Sequence, residues 1–272
     1  MTSIHNNDNA TQQKPPQTSS RSSVKSPTAN IFEWWLRRFK SLAHAITVVP
    51  LIFLGCICLG GALAVGIFCQ QNIFIILTRL LPDFFNLFYL GFSIAAGFFA
   101  FGFSLILIVP AVNFILRCSP KPWRGPYYSY ATAGWYIHNG LTYLVRYTFL
   151  NFITPTPFSH LFYQLMGLKL GRDCQINTEN ISDPALIEIG DRVTIGGSAT
   201  IIGHYGVGGY LILSKVKIGS DVTIGLKASV LGGVEIGDGA KVLPHSAVLP
   251  KTKIPAGETW GGVPAKKIEK LE

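Results

Sequence analysis

A six-residue period runs through the C-terminal part of the chain and strongly limits the folds open to it. Aliphatic side chains recur at every sixth position with one interruption, at Ile189, Ile195, Ile201, Ile218, Ile224, Val230, Ile236, Val242, Val248 and Ile254. An amphipathic helix needs a period near 3.6, and an alternating strand needs a period of two. A fixed six-residue repeat instead predicts short strands stacked in successive coils, as in a parallel β-helix.

Each hexad supplies one inward aliphatic side chain and one corner of the coil. Glycine often follows the aliphatic residue, as at Gly171, Gly190, Gly196, Gly219, Gly225 and Gly237. Small residues at the corners relieve crowding where the backbone turns. Three hexads complete one coil, and successive coils stack as parallel strands whose backbone groups pair. We therefore predict an all-β parallel β-helix domain over residues 167–272.

The repeat resembles the left-handed β-helix, hexapeptide-repeat acyltransferase superfamily over roughly Leu168 to Ile268. Its closing sequence from Trp260 to Ile268, WGGVPAKKI, is similar to the Gly-Gly-x-Pro-Ala-Lys ending of that superfamily. From about Gly125 onward, and most closely at TPFSHLFYQLMGLKLGRD, the chain also resembles the C-terminal region of poly-lysine-synthetase-type nonribosomal peptide synthetases. The resemblance implies a left-handed β-helix, a homotrimer with active sites between subunits, and acyl transfer from CoA.

The period breaks between Ile201 and Ile218, so we expect Gly203 to Lys215 to leave the coil as a loop that contains His204. Acyl transfer requires a proton to be taken from an acceptor hydroxyl or amine, and imidazole suits this role because it titrates near neutral pH. The related acetyltransferases carry a histidine at this place, so the resemblance implies that His204 is the general base. A solvated histidine in a glycine-rich loop is the alternative.

Asp183 precedes the hexads that carry His204 and is a candidate to orient the imidazole, as buried carboxylates do elsewhere. Stabilisation of the turn before Pro184 is the alternative role for this side chain. His245 is expected at an outward-facing turn, with a lesser claim to catalysis. A γ-class carbonic anhydrase shares the fold but needs three zinc-binding imidazoles, and the repeat contains only His204 and His245. We predict no metal site.

In the superfamily, the pantetheine arm of CoA lies along a groove between adjacent coils. By that resemblance, the small residues expected to bind it are Gly225, Ala228, Ser246, Gly262 and Ala265. Lys251, Lys266 and Lys267 are candidates to meet the phosphates, with ordinary solvated surface as the alternative. Acetyl-CoA or another acyl-CoA is then a co-substrate, with no resident cofactor. An acyl carrier protein could replace it as donor without any change in the repeat.

Two uncharged apolar runs precede the repeat, at Val48 to Cys69 and about Leu87 to Leu116. Each is long enough to cross the hydrocarbon core of a bilayer as a helix. Gln70 to Asn72 should end the first run, and Asn72 to Asn86 is then an interfacial turn or amphipathic helix rather than a third span. Small residues in the second run would allow close helix packing.

Cations concentrate outside these two runs, at Arg37, Arg38, Lys40, Arg117, Lys121 and Arg124. Lys and Arg in such positions favour the cytoplasmic side and contact anionic lipid. Residues 31–118 are therefore predicted to be a transmembrane hairpin in the inner (plasma) membrane, with both termini and the repeat in the cytoplasm. Neither core contains an ionisable residue, which argues against a transporter. The net charge of +9 would also suit nucleic acid, but no nucleic-acid-binding motif accompanies it.

The remaining segments are connections. Residues 1–30 are rich in Ser, Thr, Asn, Gln and Pro and are expected to be a disordered tail. Ile31 to Ala45 is expected as an interfacial helix or as an extension of the first membrane helix. Residues 119–166 are rich in Tyr and Trp, and we expect amphipathic connecting helices there, at about Trp135 to Asn151 and Ser159 to Met166.

These features together predict a membrane-anchored acyltransferase, most simply an O- or N-acetyltransferase that uses acetyl-CoA. The alternative is a non-catalytic module in which the repeat trimerises and tethers a partner at the membrane. The five cysteines show neither paired nor metal-ligand spacing, so reduced thiols and a cytosolic catalytic part are expected. No motif in the loop identifies the acceptor as a sugar, a lipid or a peptide.

Overall fold

A computed structural model describes residues 31, 34, 38, 40–127 and 129–269. The tail predicted at residues 1–30 and much of the segment from Ile31 to Ala45 lie outside the described residues. The helices are α1 (Lys40–Leu80), α2 (Asn86–Ile115), α3 (Ala133–Val145), α4 (Asn151–Ile153) and α5 (Pro157–Leu165). A π-helical turn (Arg146–Leu150) joins α3 to α4, and short 3₁₀ turns lie at Asp83–Phe85, Tyr130–Thr132 and Pro184–Leu186.

The strands are short. They are β1 (Trp123–Pro126), β2 (Lys169–Leu170), β3 (Gln175–Ile176), β4 (Ile181–Ser182), β5 (Ile187–Ile189), β6 (Thr194–Ile195), β7 (Thr200–Ile202), β8 (His204–Val207), β9 (Tyr210–Leu213), β10 (Val216–Ile218), β11 (Thr223–Ile224), β12 (Ser229–Val230), β13 (Glu235–Ile236), β14 (Lys241–Val242), β15 (Ala247–Val248), β16 (Lys253–Ile254), β17 (Thr259–Gly261) and β18 (Lys266–Lys267).

Three parallel sheets form the three sides of the repeat domain. Their strand orders are β16-β13-β10-β5-β2, β17-β14-β11-β6-β3 and β15-β12-β7-β4. The aliphatic residues that define the six-residue period all point inward, with exposures from 0% to 5%. They stack in register, so that Ile218 pairs with Ile189 on one side and with Ile236 on the other. Burial of each such side chain contributes about 1.5–3 kcal/mol. This three-sided parallel architecture fits the predicted left-handed β-helix.

Helices α1 and α2 pack closely against each other in antiparallel directions. A Cβ atom added to Gly66 of α1 would lie 2.8 Å from the carbonyl oxygen of Gly97 in α2, so both positions require a residue without a side chain. By length and composition, Val48–Leu80 and Asp83–Ile115 are each able to cross a membrane.

Helix α1 continues well beyond the end that the sequence predicts. The expected stop at Gln70 to Asn72 is wrong, because α1 runs on to Leu80 and only a short 3₁₀ turn separates it from α2. The polar side chains do not interrupt the helix because they find partners. Gln70 Nε2 donates to Ser93 Oγ of α2 at 3.4 Å, and Asn72 Nδ2 donates to the carbonyl oxygen of Phe68 at 2.8 Å.

Helix α3 lies between the α1–α2 pair and the first coil of the repeat. Towards α2, its His138 Nδ1 lies 3.0 Å from Asn113 Oδ1, and both side chains are buried. Towards the repeat, its Asn139 Nδ2 donates to Asp183 Oδ1 at 2.8 Å. Farther along, the Phe149 ring packs against Gly102 of α2, where any side chain would clash with that ring. The connecting segment is therefore a packed layer between the helical pair and the repeat.

The connecting segment contains helices close to the predicted positions and one strand that was not expected. The helix predicted at Trp135 to Asn151 corresponds to α3 and its π-helical continuation, and the one predicted at Ser159 to Met166 corresponds to α5. The purely helical assignment of residues 119–166 is wrong, because Trp123–Pro126 forms β1 and pairs with β9. A strand forms there because β9 would otherwise leave an unpaired edge.

The last coil is closed by the WGGVPAKKI sequence. Strand β18 folds back antiparallel on β17, and the backbone between them bonds to β15. Ala247 N–H donates to the carbonyl oxygen of Gly262 at 3.0 Å, and Ala265 N–H donates to that of Ala247 at 2.8 Å. The turn therefore supplies β15 with partners that no further coil provides.

Candidate functional site

The break in the six-residue period is an ordered hairpin rather than an irregular loop. Strands β8 and β9 pair antiparallel, with the turn at Gly208 and Gly209, and β1 adds to the outer edge of β9. His204 is the first residue of β8 and faces Leu213 across the hairpin. The Ser214 N–H donates to the carbonyl oxygen of Gly203 at 2.8 Å, which closes the base of the hairpin where it leaves the coil.

A close approach at Gly203 brings the first coil against the hairpin. A Cβ atom at this position would lie 2.8 Å from Leu186 Cβ and 3.0 Å from Asp183 Cβ. Such distances are shorter than real Cβ contacts allow, so a side chain here would push the two segments apart. Because Gly203 has no side chain, Asp183 can lie beside His204, the residue that follows Gly203 in sequence.

Asp183 and His204 form a hydrogen-bonded pair. His204 Nδ1 lies 2.5 Å from Asp183 Oδ2, the Asp183 side chain is fully buried, and the His204 side chain is 20% exposed. An ionised carboxylate can only accept a hydrogen bond, so Nδ1 must carry the proton. In the neutral imidazole, Nε2 then has a free lone pair. The described residues form no hydrogen bond to Nε2, and this nitrogen is the atom able to accept a proton.

The other carboxylate oxygen of Asp183 is held by helix α3. Trp135 Nε1 donates to Oδ1 at 2.7 Å, and Asn139 Nδ2 donates to the same oxygen at 2.8 Å. The Trp135 ring also meets the His204 ring edge to face, with centroids 5.0 Å apart. The buried Asp183 carboxylate thus accepts three hydrogen bonds, and the Trp135 ring packs beside His204.

Burial alone would raise the pKa of Asp183, but the hydrogen bonds from His204, Asn139 and Trp135, with the charge of His204, outweigh it and lower that pKa. Asp183 is therefore ionised at neutral pH. The Asp183 side chain does not stabilise the turn at Pro184–Leu186, because its carboxylate makes no hydrogen bond to that turn.

Trp135 and Asn139 were not among the sequence-predicted site residues. They lie four positions apart in a helix, so they share one face, and that spacing was the signal available. Nothing local indicated that this face would meet Asp183, because the contact joins positions 44 residues apart or more.

A second buried polar group lies behind this pair. Burial lowers the pKa of His138 to about 4, although the nearby Asp183 carboxylate acts in the opposite direction. Its Nε2 has no hydrogen-bond partner among the described residues. On the same helical face, Arg146 Nη2 donates to the carbonyl oxygen of Ile181 at 2.6 Å and to Ser182 Oγ at 3.3 Å. These contacts fix α3 and its π-helical continuation on the strand that leads to Asp183.

The residues predicted to bind CoA lie in the later coils and the closing turn. Ala228 is buried in the core, its N–H donates to Gly225, and its carbonyl oxygen accepts from Thr200. Ser246 Oγ accepts from the Gly262 N–H at 3.2 Å within the closing turn, beside Ala265. Several of these backbone groups are therefore engaged within the fold. Their role in binding CoA stays a prediction, as does that of the exposed Lys266 and Lys267.

Lys251 lies at the same corner of the repeat as the base of the hairpin. A Cβ atom on Gly232 would lie 3.1 Å from the carbonyl group of Gly203, and the Lys251 N–H donates to the carbonyl oxygen of Gly232 at 3.2 Å. The three residues thus stack in successive coils. With adjacent strands about 4.8 Å apart, the Lys251 backbone lies about 10 Å from Gly203. Lys251 is exposed and is the predicted CoA-binding cation that stacks below the hairpin.

His245 is exposed at a corner with φ of 57°, as predicted for an outward-facing turn. Its backbone N–H donates to the carbonyl oxygen of Leu226, one coil away. The structure does not bring His245 to Asp183. Within the described part of the chain, no group of three or more His, Cys, Asp or Glu side chains is arranged to hold a metal ion.

Comparison with known proteins finds similarity to a synthetase and to several acetyltransferases. The chain is 26% identical over 113 residues to delta-poly-L-ornithine synthetase of Acinetobacter baumannii (strain AB307-0294), which covers 42% of this chain and 8% of the synthetase. A hexapeptide-repeat acetyltransferase from Vibrio cholerae O1 biovar eltor, solved with acetyl-CoA, is 29% identical, with a TM-score of 0.35, over 39% of this chain and 61% of that one.

A maltose O-acetyltransferase from Clostridium difficile 630 is 19% identical, with a TM-score of 0.39, over 51% of this chain and 88% of the other. No family model matches the chain. The chain therefore spans a small part of the synthetase and less than two thirds of the Vibrio acetyltransferase. It is similar to hexapeptide-repeat acetyltransferases and to a synthetase whose name gives its product as poly-ornithine, where the sequence resemblance was to poly-lysine synthetases.

Proposed function

We propose that the protein is a membrane-anchored acyltransferase that uses an acyl-CoA, with His204 as its general base. The observation that carries the proposal is the hydrogen bond from His204 Nδ1 to the buried Asp183 carboxylate. It leaves Nε2 as a base on a hairpin that departs from the six-residue repeat. A buried charge is costly unless it is paired. A hairpin with only a structural role therefore has no need of a buried carboxylate behind its histidine.

In the proposed reaction, His204 Nε2 takes the proton of an acceptor hydroxyl or amine while the oxygen or nitrogen attacks the thioester carbonyl carbon. The new acyl–oxygen or acyl–nitrogen bond forms, the carbon–sulfur bond breaks, and the CoA thiolate leaves. The imidazolium is stabilised by Asp183, and its proton returns to the departing sulfur. No other reactant is required. The geometry of His204 and Asp183 specifies only the proton transfer. It therefore suits the transfer of an acetyl group and the transfer of longer acyl groups equally.

The donor is proposed to be CoA because the repeat and its WGGVPAKKI ending resemble the CoA-dependent superfamily. Lys251 is the cation best placed to meet a CoA phosphate near the hairpin. The proposal includes a homotrimer, because the resemblance implies sites completed between subunits. A module that only trimerises and tethers is the second candidate, and an acyl-carrier-protein donor is a variant of the first.

The proposed activity is tested with purified full-length protein, acetyl-CoA carrying a labelled acetyl group, and a panel of sugar, lipid and peptide acceptors. We expect label transfer to one acceptor class and an increase in melting temperature on addition of CoA. Dephospho-CoA is the matched control, because it lacks the 3′-phosphate and so shows whether that group takes part in binding. No transfer together with no thermal response to any acyl-CoA would favour the tethering module.

The membrane topology is a separate prediction. The exposed apolar side chains of α1 and α2, with cations beyond their outer ends, lead us to propose a hairpin with both termini in the cytoplasm. A single cysteine placed at Asp83 or Asn86, at the turn between α1 and α2, of a cysteine-free variant should react with a membrane-impermeant thiol reagent from the periplasmic side of intact cells. A cysteine at Lys251 should react only after the membrane is opened. The reverse pattern would invert the proposed orientation.

A further inference from the structure

The two donors that hold Asp183 Oδ1 come from outside the repeat. Trp135 and Asn139 belong to α3, whereas Asp183 and His204 belong to the first coil and the inserted hairpin. A carboxylate has about four lone-pair sites, and its two oxygens are equivalent until their surroundings distinguish them. Here one oxygen receives both donors from α3, so the other oxygen is the one that remains for His204.

We propose that Trp135 and Asn139 are positioning residues, which orient the Asp183 carboxylate so that His204 keeps its proton on Nδ1 and presents Nε2 as the base. The proposal rests on the proposed function only for its effect on rate. Its structural content, the fixed tautomer of His204, stands by itself.

Both donors are held in place before any substrate arrives. Trp135 is 8% exposed, and its ring packs against Tyr127 and Tyr136, with centroid distances of 6.2 Å and 4.9 Å. Asn139 is 6% exposed, and its Nδ2 also donates to the carbonyl oxygen of Trp135 at 3.2 Å. One amide group thus bridges its own helix and the carboxylate. Neither side chain can swing away without leaving the buried charge with fewer donors, which is costly.

The position of these donors depends on the helical pair. On α3, His138 contacts Asn113 of α2, and Gly140 lies against Leu51 of α1, where a Cβ atom would be 2.7 Å from the leucine methyl groups. A shift of α3 along α1 and α2 would therefore move both donors relative to Asp183. The proposed site is not complete within the repeat alone.

The electrostatics agree with this role. The hydrogen bonds from α3 lower the pKa of Asp183 against the opposing effect of burial. The other titratable or charged groups near this carboxylate are His204, His138 and Arg146, the last of which contacts the adjacent Ser182. Without the two donors, fewer hydrogen bonds counteract the effect of burial, and the pKa of Asp183 rises. The carboxylate would then be protonated at a higher pH, so the stabilisation that its ionised form provides should be lost at a higher pH.

The test uses the full-length protein and four substitutions. Trp135→Phe keeps an aromatic ring but removes the N–H, and Asn139→Leu keeps the approximate volume but removes the amide. The matched control is Thr142→Val, because Thr142 is fully buried on the same helix and its hydroxyl donates only to the carbonyl oxygen of His138, at 2.8 Å. Each protein is labelled with ¹⁵N-histidine, and the His204 signals are identified by their loss in His204→Asn.

In the wild-type protein and in Thr142→Val, we expect His204 to be a single neutral tautomer with its proton on Nδ1. In Trp135→Phe and Asn139→Leu, we expect a mixture of tautomers. Groups that orient a metal-ligating histidine typically contribute about 10–100-fold, and we expect the turnover of these two variants to fall by a factor of that order. The Michaelis constant for acyl-CoA should stay unchanged, and the fall of the melting temperature in acid should begin at a higher pH than in the wild-type protein.

An unchanged tautomer of His204 in both variants would overturn the positioning role, even if their melting temperatures fall. The same changes in Thr142→Val would also overturn it, because they would reflect general loosening of α3. If the tautomer responds as expected but the wild-type protein transfers no acyl group, the positioning role stands and the proposed function fails. The two failures are therefore distinguishable.

Discussion

Replacement of His204 by alanine should lower the turnover of acyl transfer by about 10²–10⁴-fold, the usual contribution of a positioned general base. The side chain is partly exposed on the inserted hairpin, outside the stacked aliphatic core. Its removal should therefore keep the fold and leave the affinity for CoA nearly unchanged, although the loss of one donor to the buried Asp183 carboxylate should lower the melting temperature. Steady-state rates with labelled acetyl-CoA, alongside melting temperature and CoA binding by calorimetry, measure the three effects separately.

His204→Asn should lose as much activity as His204→Ala, because an amide can form hydrogen bonds but cannot take a proton near neutral pH. His245→Asn is the matched control, since His245 is exposed at a corner of the same repeat and lies apart from Asp183. Its activity should be that of the wild-type protein. A folded His204→Ala protein with near-normal transfer would remove the general base from the proposal.

Replacement of Asp183 by asparagine should be nearly as damaging, although it changes only one atom of the side chain. Trp135 and Asn139 both donate to Oδ1, so the amide of the variant will turn its oxygen towards them. Its NH₂ group then faces His204 Nδ1, which must become an acceptor. The proton moves to Nε2, and the base is lost. In another Asp–His pair, the corresponding change of tautomer lowers turnover by about 10⁴-fold.

The effect of Asp183→Asn on stability should depend on pH. The folded-state pKa of Asp183 lies below its ordinary value of 3.8, so the ionised carboxylate stabilises the fold fully above that value. This contribution is lost as the pH falls through the lowered pKa. The difference in melting temperature between the wild-type protein and the variant should therefore narrow in acid.

Asp221→Asn is the control for this experiment. Asp221 also accepts from a basic side chain, Arg192, but the pair is exposed, and exposed ion pairs contribute little. Normal turnover in Asp183→Asn, with Asp221→Asn also normal, would mean that the carboxylate has only a structural role.

The repeat was predictable because its signal is local and periodic. Every sixth residue carries the same kind of side chain, and each coil repeats the packing of the coil before it, so Ile189 and Ile254 occupy equivalent positions. The break in that pattern also located the segment that carries His204. Its form as a hairpin was missed, although Gly208 and Gly209 were a local signal for such a turn. The third strand of the small sheet, β1, was not predictable because it lies far earlier in the chain.

The parts of the site that the sequence missed depend on contacts between distant elements. In the sequence, Trp135 is one of many aromatic residues in its segment, and Asn139 is an ordinary polar residue on a predicted helix. Their importance arises only when α3 packs on the first coil. The end of α1 was misjudged for a related reason, because Gln70 finds Ser93 on the neighbouring helix and so does not stop the helix.

The closing turn of the repeat also affects how copies of the protein meet in solution. A stack of parallel coils ends in open strand edges, which invite further strands to add and so to build polymers. Here the backbone around Pro264 folds over β15, and β18 covers β17. Among the described strands, β15 and β17 are covered in this way, whereas β16 still ends its sheet. The closing turn therefore reduces the number of strand edges at this end of the repeat to which another copy of the protein could add.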